Sequence, residues 1–218
     1  MKHKSFTVLR VEFMPHLRHF VLLDRDGTLI VHRPYLCDPQ EVELLPEAVT
    51  GLKFMRRLGL GLILMTNQSG IGRGYFTVEQ MHSVHDRLRQ LLAVEGLELD
   101  DIYYCQHAPS EGCGCRKPAI GMVTQAAAKW GFDPREAFVI GDADGDMKMA
   151  IAVGAVPIRV ISAEHVARSP REGVVALTEV KNLVQAAGVI ERYLSSRSRT
   201  THSDKTTDCE IQGEHGRN

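Results

Sequence analysis

The chain has 218 residues, with 26 Lys plus Arg against 27 Asp plus Glu and a formal charge of −1. Hydrophobic residues at 44% and charged residues at 24% describe an ordinary globular chain and exclude wholesale disorder, collagen and coiled coil. Near-neutral charge argues against broad nucleic-acid binding, which needs a basic footprint. Five cysteines are an odd count, awkward for a secreted disulfide framework that a chain this long does not need, and three of them (Cys105, Cys113 and Cys115) cluster within eleven residues. No stretch approaches eighteen apolar residues, so no membrane span is expected.

Residues 1–18 read as an N-terminal extension, and the folded domain is expected over 19–193. His19 to Leu23 is a short apolar run that predicts a buried strand ending at Asp24. Pro46 to Leu58 carries Ala48, Val49, Leu52, Met55 and Leu58 at helical spacing, closed by Gly59. Leu60 to Thr66 predicts a second strand. Thr77 followed by Gln80 forms a capping box, and the helix behind it stops at Gly96. Asp101 to Cys105 reads as a strand, Ala119 to Trp130 as a helix, and Asp133-Pro134 as a helix or turn start. Ala137 to Ile140 predicts a strand, Met147 to Val153 a helix closed by Gly154, and Val156 to Val160 a further strand. Thr178 is expected to cap a last helix with Val180, Leu183, Val184, Ala187 and Ile190 on its apolar face. Residues 194–218 are almost entirely polar and are expected to form a disordered tail.

Strands alternating with helices predict an α/β fold with a mainly parallel central sheet flanked by helices. In such sheets ligands bind beyond the carboxyl ends of the strands. The residues there are Asp24-Arg25-Asp26-Gly27-Thr28, Thr66-Asn67-Gln68-Ser69, Cys105 onward, and Gly141-Asp142. All follow an apolar strand and all are polar.

Asp24 and Asp26 stand two apart, and Asp142 and Asp146 add further carboxylates. Crowded carboxylates repel and invite a cation, and oxygen donors favour Mg²⁺. The alternative for the first pair is a solvated turn and helix cap. A calcium loop over Asp142, Asp144 and Asp146 fails, because Met147 and Val153 stand where Gly and Glu are needed. The glycine-rich run from Asn67 to Gly74 can present backbone amides to an anion, or simply be a flexible connection. Lys117 offers a positive charge. Cys105, His107, Cys113 and Cys115 make a Cys₃His set suited to structural Zn²⁺. The alternative is a group of reduced thiols or a Cys113–Cys115 redox pair. His82 and His85 read as ordinary helix-face residues.

Four motifs in order resemble the haloacid dehalogenase superfamily of phosphotransferases: DRDGT at Asp24 to Thr28, Thr66, Lys117, and GDxxxD at Gly141 to Asp146. The resemblance covers about residues 19 to 193. Within the superfamily, TNQSGIGRG and the Cys-x-His…Cys-x-Cys-Arg-Lys-Pro segment are similar to the heptose bisphosphate phosphatases, and less closely to the histidinol-phosphatases. The resemblance implies a Rossmann-like fold with a minimal cap and a zinc-bound loop. It implies Asp24 as nucleophile and Asp26 as general acid and base, with Mg²⁺ on Asp24, the Asp26 carbonyl and Asp142. It implies Thr66, Asn67, Gln68, Ser69, Arg116 and Lys117 at the phosphate, and His32, Arg33, Pro34 and Tyr35 as the substrate loop. Zn²⁺ would sit on Cys105, His107, Cys113 and Cys115.

Ala143 departs from the lysine that related heptose phosphatases often carry after the fourth-motif Asp. The implied activity is removal of the 7-phosphate of a heptose 1,7-bisphosphate. The alternatives are histidinol-phosphate hydrolysis, a polynucleotide 3′-phosphatase, which the near-neutral charge disfavours, and a zinc-stapled interaction module without catalysis. The expected partner is a phosphorylated sugar, with no nucleic acid and no membrane, handled by a cytoplasmic monomer.

Overall fold

In the computed structural model, residues 19–161 and 178–203 are described. Six strands form one sheet: β1 (Phe20–Leu23), β2 (Gly61–Asn67), β3 (Asp101–Cys105), β4 (Phe138–Gly141), β5 (Val156–Val160) and β6 (Thr178–Val180). Their order is β3-β2-β1-β4-β5-β6, and every pairing is parallel. The helices are α1 (Ala48–Arg57), the single turn α2 (Ser69–Gly72), α3 (Val78–Val94), α4 (Gly121–Trp130), α5 (Asp144–Val153) and α6 (Leu183–Ser203).

Strands β1, β4 and most of β2 read as unbroken apolar runs because both faces of the sheet are covered. Val21, Leu23, Leu62, Leu64, Phe138 and Ile140 point to one core, shared with α1, α3 and α6. Phe20, Leu22, Ile63, Met65 and Val139 point to the other, under α4 and α5. The chain order reverses direction between β1 and β4, so the crevice there opens at the carboxyl ends of these two strands. Leu23 pairs with Leu64 on one side and Ile140 on the other, and the Asp24 amide donates to the Ile140 carbonyl at 2.9 Å. This register brings the ends of β1, β2 and β4 together.

Two expectations need correction. Thr178 does not cap a helix; it opens β6, and Val180 belongs to that strand. Helix α6 starts at Leu183, capped by Asn182, whose Oδ1 accepts from the Gln185 amide at 2.9 Å. The same helix runs through Leu194 to Ser203, so the segment expected to be a disordered tail begins as helix. Residues 204–218, the extension 1–18 and residues 162–177 lie outside the described residues.

Helix α5 starts three residues earlier than expected. The Asp146 carboxylate accepts from the Ala143 amide at 3.2 Å, and Asp144 and Asp146 both sit in the first turn, where the helix dipole favours negative charge. The Thr77 capping box forms as read. Between β1 and α1 the chain makes only a short excursion, tied back by Val31 to Glu43 and Leu45 to Leu29 backbone bonds. Over residues 29–45 the cap is minimal. None of the described helices is long and apolar enough to cross a membrane.

Candidate active site and metal cluster

Asp24 lies at the bottom of the crevice and is almost fully buried. Its Oδ1 accepts from Lys117 Nζ at 2.7 Å. The same ammonium pairs with Asp146 Oδ1 at 2.6 Å and donates to the Met65 carbonyl at 2.8 Å. A lysine has three donors, and all three of these are spent. Lys117 is itself buried, at 6% exposure. Burial would lower its pKa, but Asp146 and Asp24 outweigh that and raise it, so the ammonium stays charged.

Carboxylate oxygens of Asp24, Asp142 and Asp146 all lie within 4.8 Å of one another, and all three residues are buried. Like charges at such separations repel by on the order of 4 kcal/mol per pair at an effective dielectric near 20. Lys117 is bonded to two of the three, Asp24 and Asp146. Burial, opposed by Lys117 and reinforced by Asp146 and Asp26, pushes Asp24 up to about 7. Burial together with Asp24 and Asp146 pushes Asp142 up to about 8. An all-oxygen donor set with excess negative charge fits a hard divalent cation. A glycine leaves room for the Asp142 carboxylate. Gly27 has φ +83°, and a Cβ there would lie 2.3 Å from Asp142 Oδ2.

The second β-strand end supplies the frame. The Asn67 amide bonds the main chain of Lys117 twice, accepting from its N–H at 3.0 Å and donating to its carbonyl at 3.1 Å. Asn67, expected at the substrate phosphate, is thus committed to placing Lys117. Gln68 donates from Nε2 to Asp26 Oδ2 at 3.0 Å and to Thr66 Oγ1 at 2.7 Å. The Thr28 hydroxyl is buried with no hydrogen-bond partner among the described residues.

Asp26 borders a cleft of about 300 Å³ lined by Arg25, His32, Arg33, Pro34, Tyr35, Asn67, Gln68 and Ser69, among others. The four residues expected as a substrate loop therefore do face Asp26. Arg33 is already engaged, donating to the Glu41 carbonyl and Glu43 Oε2. Tyr35 packs edge-on against Tyr75, ring centroids 4.6 Å apart. One guanidinium nitrogen of Arg116 is buried without a partner among the described residues.

Cys105, His107, Cys113 and Cys115 converge with separations of 3.2 to 3.6 Å between ligand atoms. A disulfide would bring two sulfurs to about 2.05 Å, whereas the edge of a tetrahedral zinc–thiolate site is ~3.8 Å. The cluster is close to the second geometry. The four residues can hold a metal, and four protein ligands close the site. Amides of Cys115 and Arg116 outweigh burial at Cys113 and, with the neighbouring thiols, bring it down to about 6. The cluster is tied to the second strand end, because the Gln68 amide donates to the Cys105 carbonyl at 2.7 Å and the Gly72 amide to the Gln106 carbonyl at 2.8 Å.

A family model for haloacid dehalogenase-like hydrolases matches residues 31–154. The chain belongs to that family. It is 38% identical over 141 residues to the D-glycero-beta-D-manno-heptose-1,7-bisphosphate 7-phosphatase of Pseudomonas putida, covering 64% of this chain and 81% of that one. It is 40% identical over 128 residues to the enzyme of the same name from Helicobacter pylori, covering 58% and 74%. A crystal structure of D,D-heptose 1,7-bisphosphate phosphatase from B. bronchiseptica, complexed with magnesium and phosphate, superposes with a TM-score of 0.70 at 26% identity. That alignment covers 80% of this chain and 98% of the other. This haloacid dehalogenase-like hydrolase is a phosphatase.

Three residues of the hydrolase site escape a reading by motif. Arg25 fills the variable position of the first motif, yet it is 1% exposed and grips Asp26 through Nε and Nη2, both at 3.1 Å. His85, read as a helix-face residue, is 4% exposed and meets Arg25 Nη1 at 3.2 Å. Its signal was its place in the apolar stripe of α3, four after Met81 and three before Leu88. Arg159, 5% exposed on β5, donates to the Asp142 carbonyl at 3.3 Å and Asp144 Oδ1 at 2.6 Å. Its signal was one arginine inside the apolar run Val156–Val160.

Proposed function

We propose that this phosphatase removes the 7-phosphate of D-glycero-D-manno-heptose 1,7-bisphosphate through a phosphorylated Asp24. The observation that carries the chemistry is Asp24, buried at the sheet's switch point and oriented by Lys117 at 2.7 Å. The names of the relatives from P. putida and H. pylori support the substrate. The partner in this reading is a small phosphorylated sugar, handled by a monomer in the cytoplasm.

Asp24 Oδ attacks phosphorus as the bond to the sugar oxygen breaks, and Asp26 gives its proton to the leaving alkoxide. Water then attacks the phosphorus of the aspartyl-phosphate. Asp26 takes its proton, and the bond to Asp24 breaks to release phosphate. Lys117 holds the Asp24 carboxylate in line and places positive charge beside the phosphoryl group. Mg²⁺ fits the donor set of Asp24, Asp142 and the Asp26 carbonyl, and when bound would neutralise charge on the phosphoryl oxygens. Asp146 serves as the partner of Lys117 and the Ala143 amide. Zn²⁺ on Cys105, His107, Cys113 and Cys115 would be structural, fixing the segment that delivers Arg116 and Lys117.

Side-by-side turnover of heptose 1,7-bisphosphate and histidinol phosphate tests the substrate. The heptose bisphosphate is expected to show the higher kcat/KM, with loss of the 7-phosphate by phosphorus NMR. Faster histidinol-phosphate hydrolysis would replace this reading with the sister activity.

A further inference from the structure

We propose that His85 is a positioning residue for the leaving-group step, acting through Arg25 to aim the Asp26 carboxyl at the scissile ester oxygen. The proposal rests on the role given to Asp26 above. Its basis is a chain of buried contacts running from α3 to the cleft.

Arg25 presents its Nε and Nη2 to the two oxygens of Asp26, a fork-to-fork pair that sets both distance and plane. A two-pronged grip on adjacent residues leaves the guanidinium free to swing about the pair unless its third nitrogen is anchored. That nitrogen, Nη1, ends on His85 Nε2 at 3.2 Å. A guanidinium only donates, so Nε2 must accept, and the imidazole is neutral with its proton on Nδ1. Burial, then the positive charges of Arg25, His82 and Arg89, push His85 down to about 3, in keeping with an uncharged ring. The ring is held in place by α3 on one side and by Tyr104 of β3, centroids 6.2 Å apart, on the other. From the opposite direction Gln68 bonds Asp26 Oδ2, and Thr66 takes its second amide proton. Asp26 is thereby fixed from two sides, and His85 links the Arg25 grip to the body of α3.

The functional consequence is specific. Protonation of the leaving oxygen matters for a sugar alkoxide, a poor leaving group, and hardly for a nitrophenolate, which departs unprotonated. General acids contribute about 100- to 10,000-fold where they are needed. A misplacement near 1 Å costs about 100-fold of such an effect. Displacing Asp26 therefore penalises alkyl phosphates and spares aryl phosphates. The comparison belongs in kcat/KM, which extends only through the first irreversible step, departure of the alcohol.

The test measures kcat/KM for a sugar phosphate and for p-nitrophenyl phosphate with wild type, His85→Ala, His85→Gln and Asp26→Asn. His85→Ala is expected to lose about tenfold or more on the sugar phosphate and less than about threefold on the aryl phosphate. His85→Gln keeps an acceptor near the Nε2 position and is expected to recover most of the sugar-phosphate rate. In an Arg25→Met background, His85→Ala should add little further loss, because its route to Asp26 is already cut. Equal losses on both substrates would overturn the proposal, since a merely structural histidine would produce them. So would an independent loss in the Arg25→Met background. Asp26→Asn separates the two layers. If it shows the leaving-group bias and His85→Ala does not, only the positioning role falls. If Asp26→Asn shows none, the acid role of Asp26 falls and the proposal with it.

Discussion

At the residue scale, the site is a problem in charge and space. Three carboxylates converge on one crevice, and Lys117 is bonded to two of them, Asp24 and Asp146. The crowding is possible because glycines stand where side chains would collide. A Cβ on Gly27 would meet Asp142, and one on Gly141 would meet the Asp146 carboxyl at 2.3 Å. Gly27→Ala adds a left-handed-region penalty of about 1–2 kcal/mol and drives the new methyl into Asp142. Magnesium affinity is expected to fall at least about tenfold, read by titration calorimetry. Unchanged affinity would remove Asp142 from the cation's ligands. The carboxylates and Lys117 were legible from their order along the chain. Arg25, His85 and Arg159 were not, because each acts through partners more than ten residues away or in a position that motifs leave variable.

At the element scale, strand ends do the positioning, and the zinc-type cluster behind β3 braces one of them. The Asn67 amide clamps Lys117, while Cys105 and Gln106 carbonyls receive amides from Gln68 and Gly72. Lys117 sits only two residues after Cys115. With zinc as the proposed occupant of that cluster, chelation is therefore expected to abolish phosphatase activity without unfolding the sheet. Excess magnesium alone is expected not to restore it, and zinc followed by magnesium is. Recovery with magnesium alone would mean that the cluster does not hold the lysine. The elements themselves were legible where burial is two-sided, since β1, β4 and most of β2 are continuous apolar runs and β5 is apolar but for Arg159. Strand β6 escaped notice because three residues with one buried side chain carry almost no periodic signal. Thr178 offered a plausible cap there, while the actual cap, Asn182, lay four residues on.

At the scale of the whole molecule, near-neutral charge conceals strong separation. Acidic strand ends meet Lys117 and a set of arginines over one crevice, as a phosphomonoester and its cation would require. The parallel order β3-β2-β1-β4-β5-β6 makes this convergence unavoidable, because the reversal of direction falls beside Asp24. The short excursion between β1 and α1 leaves the crevice accessible to a small substrate. The family and the fold could be read from four ordered motifs; the heptose reading came from the resemblance of the TNQSGIGRG run and the Cys/His segment alone.

The central claim is that Asp24 becomes phosphorylated. The direct measurement is borohydride trapping of Asp26→Asn enzyme during turnover of an aryl phosphate, followed by peptide mass spectrometry. Slowed hydrolysis should let the acyl phosphate accumulate, and reduction should convert Asp24, and no other aspartate, to homoserine. Phosphate transfer to another residue, or steady turnover by Asp24→Asn enzyme, would contradict the account.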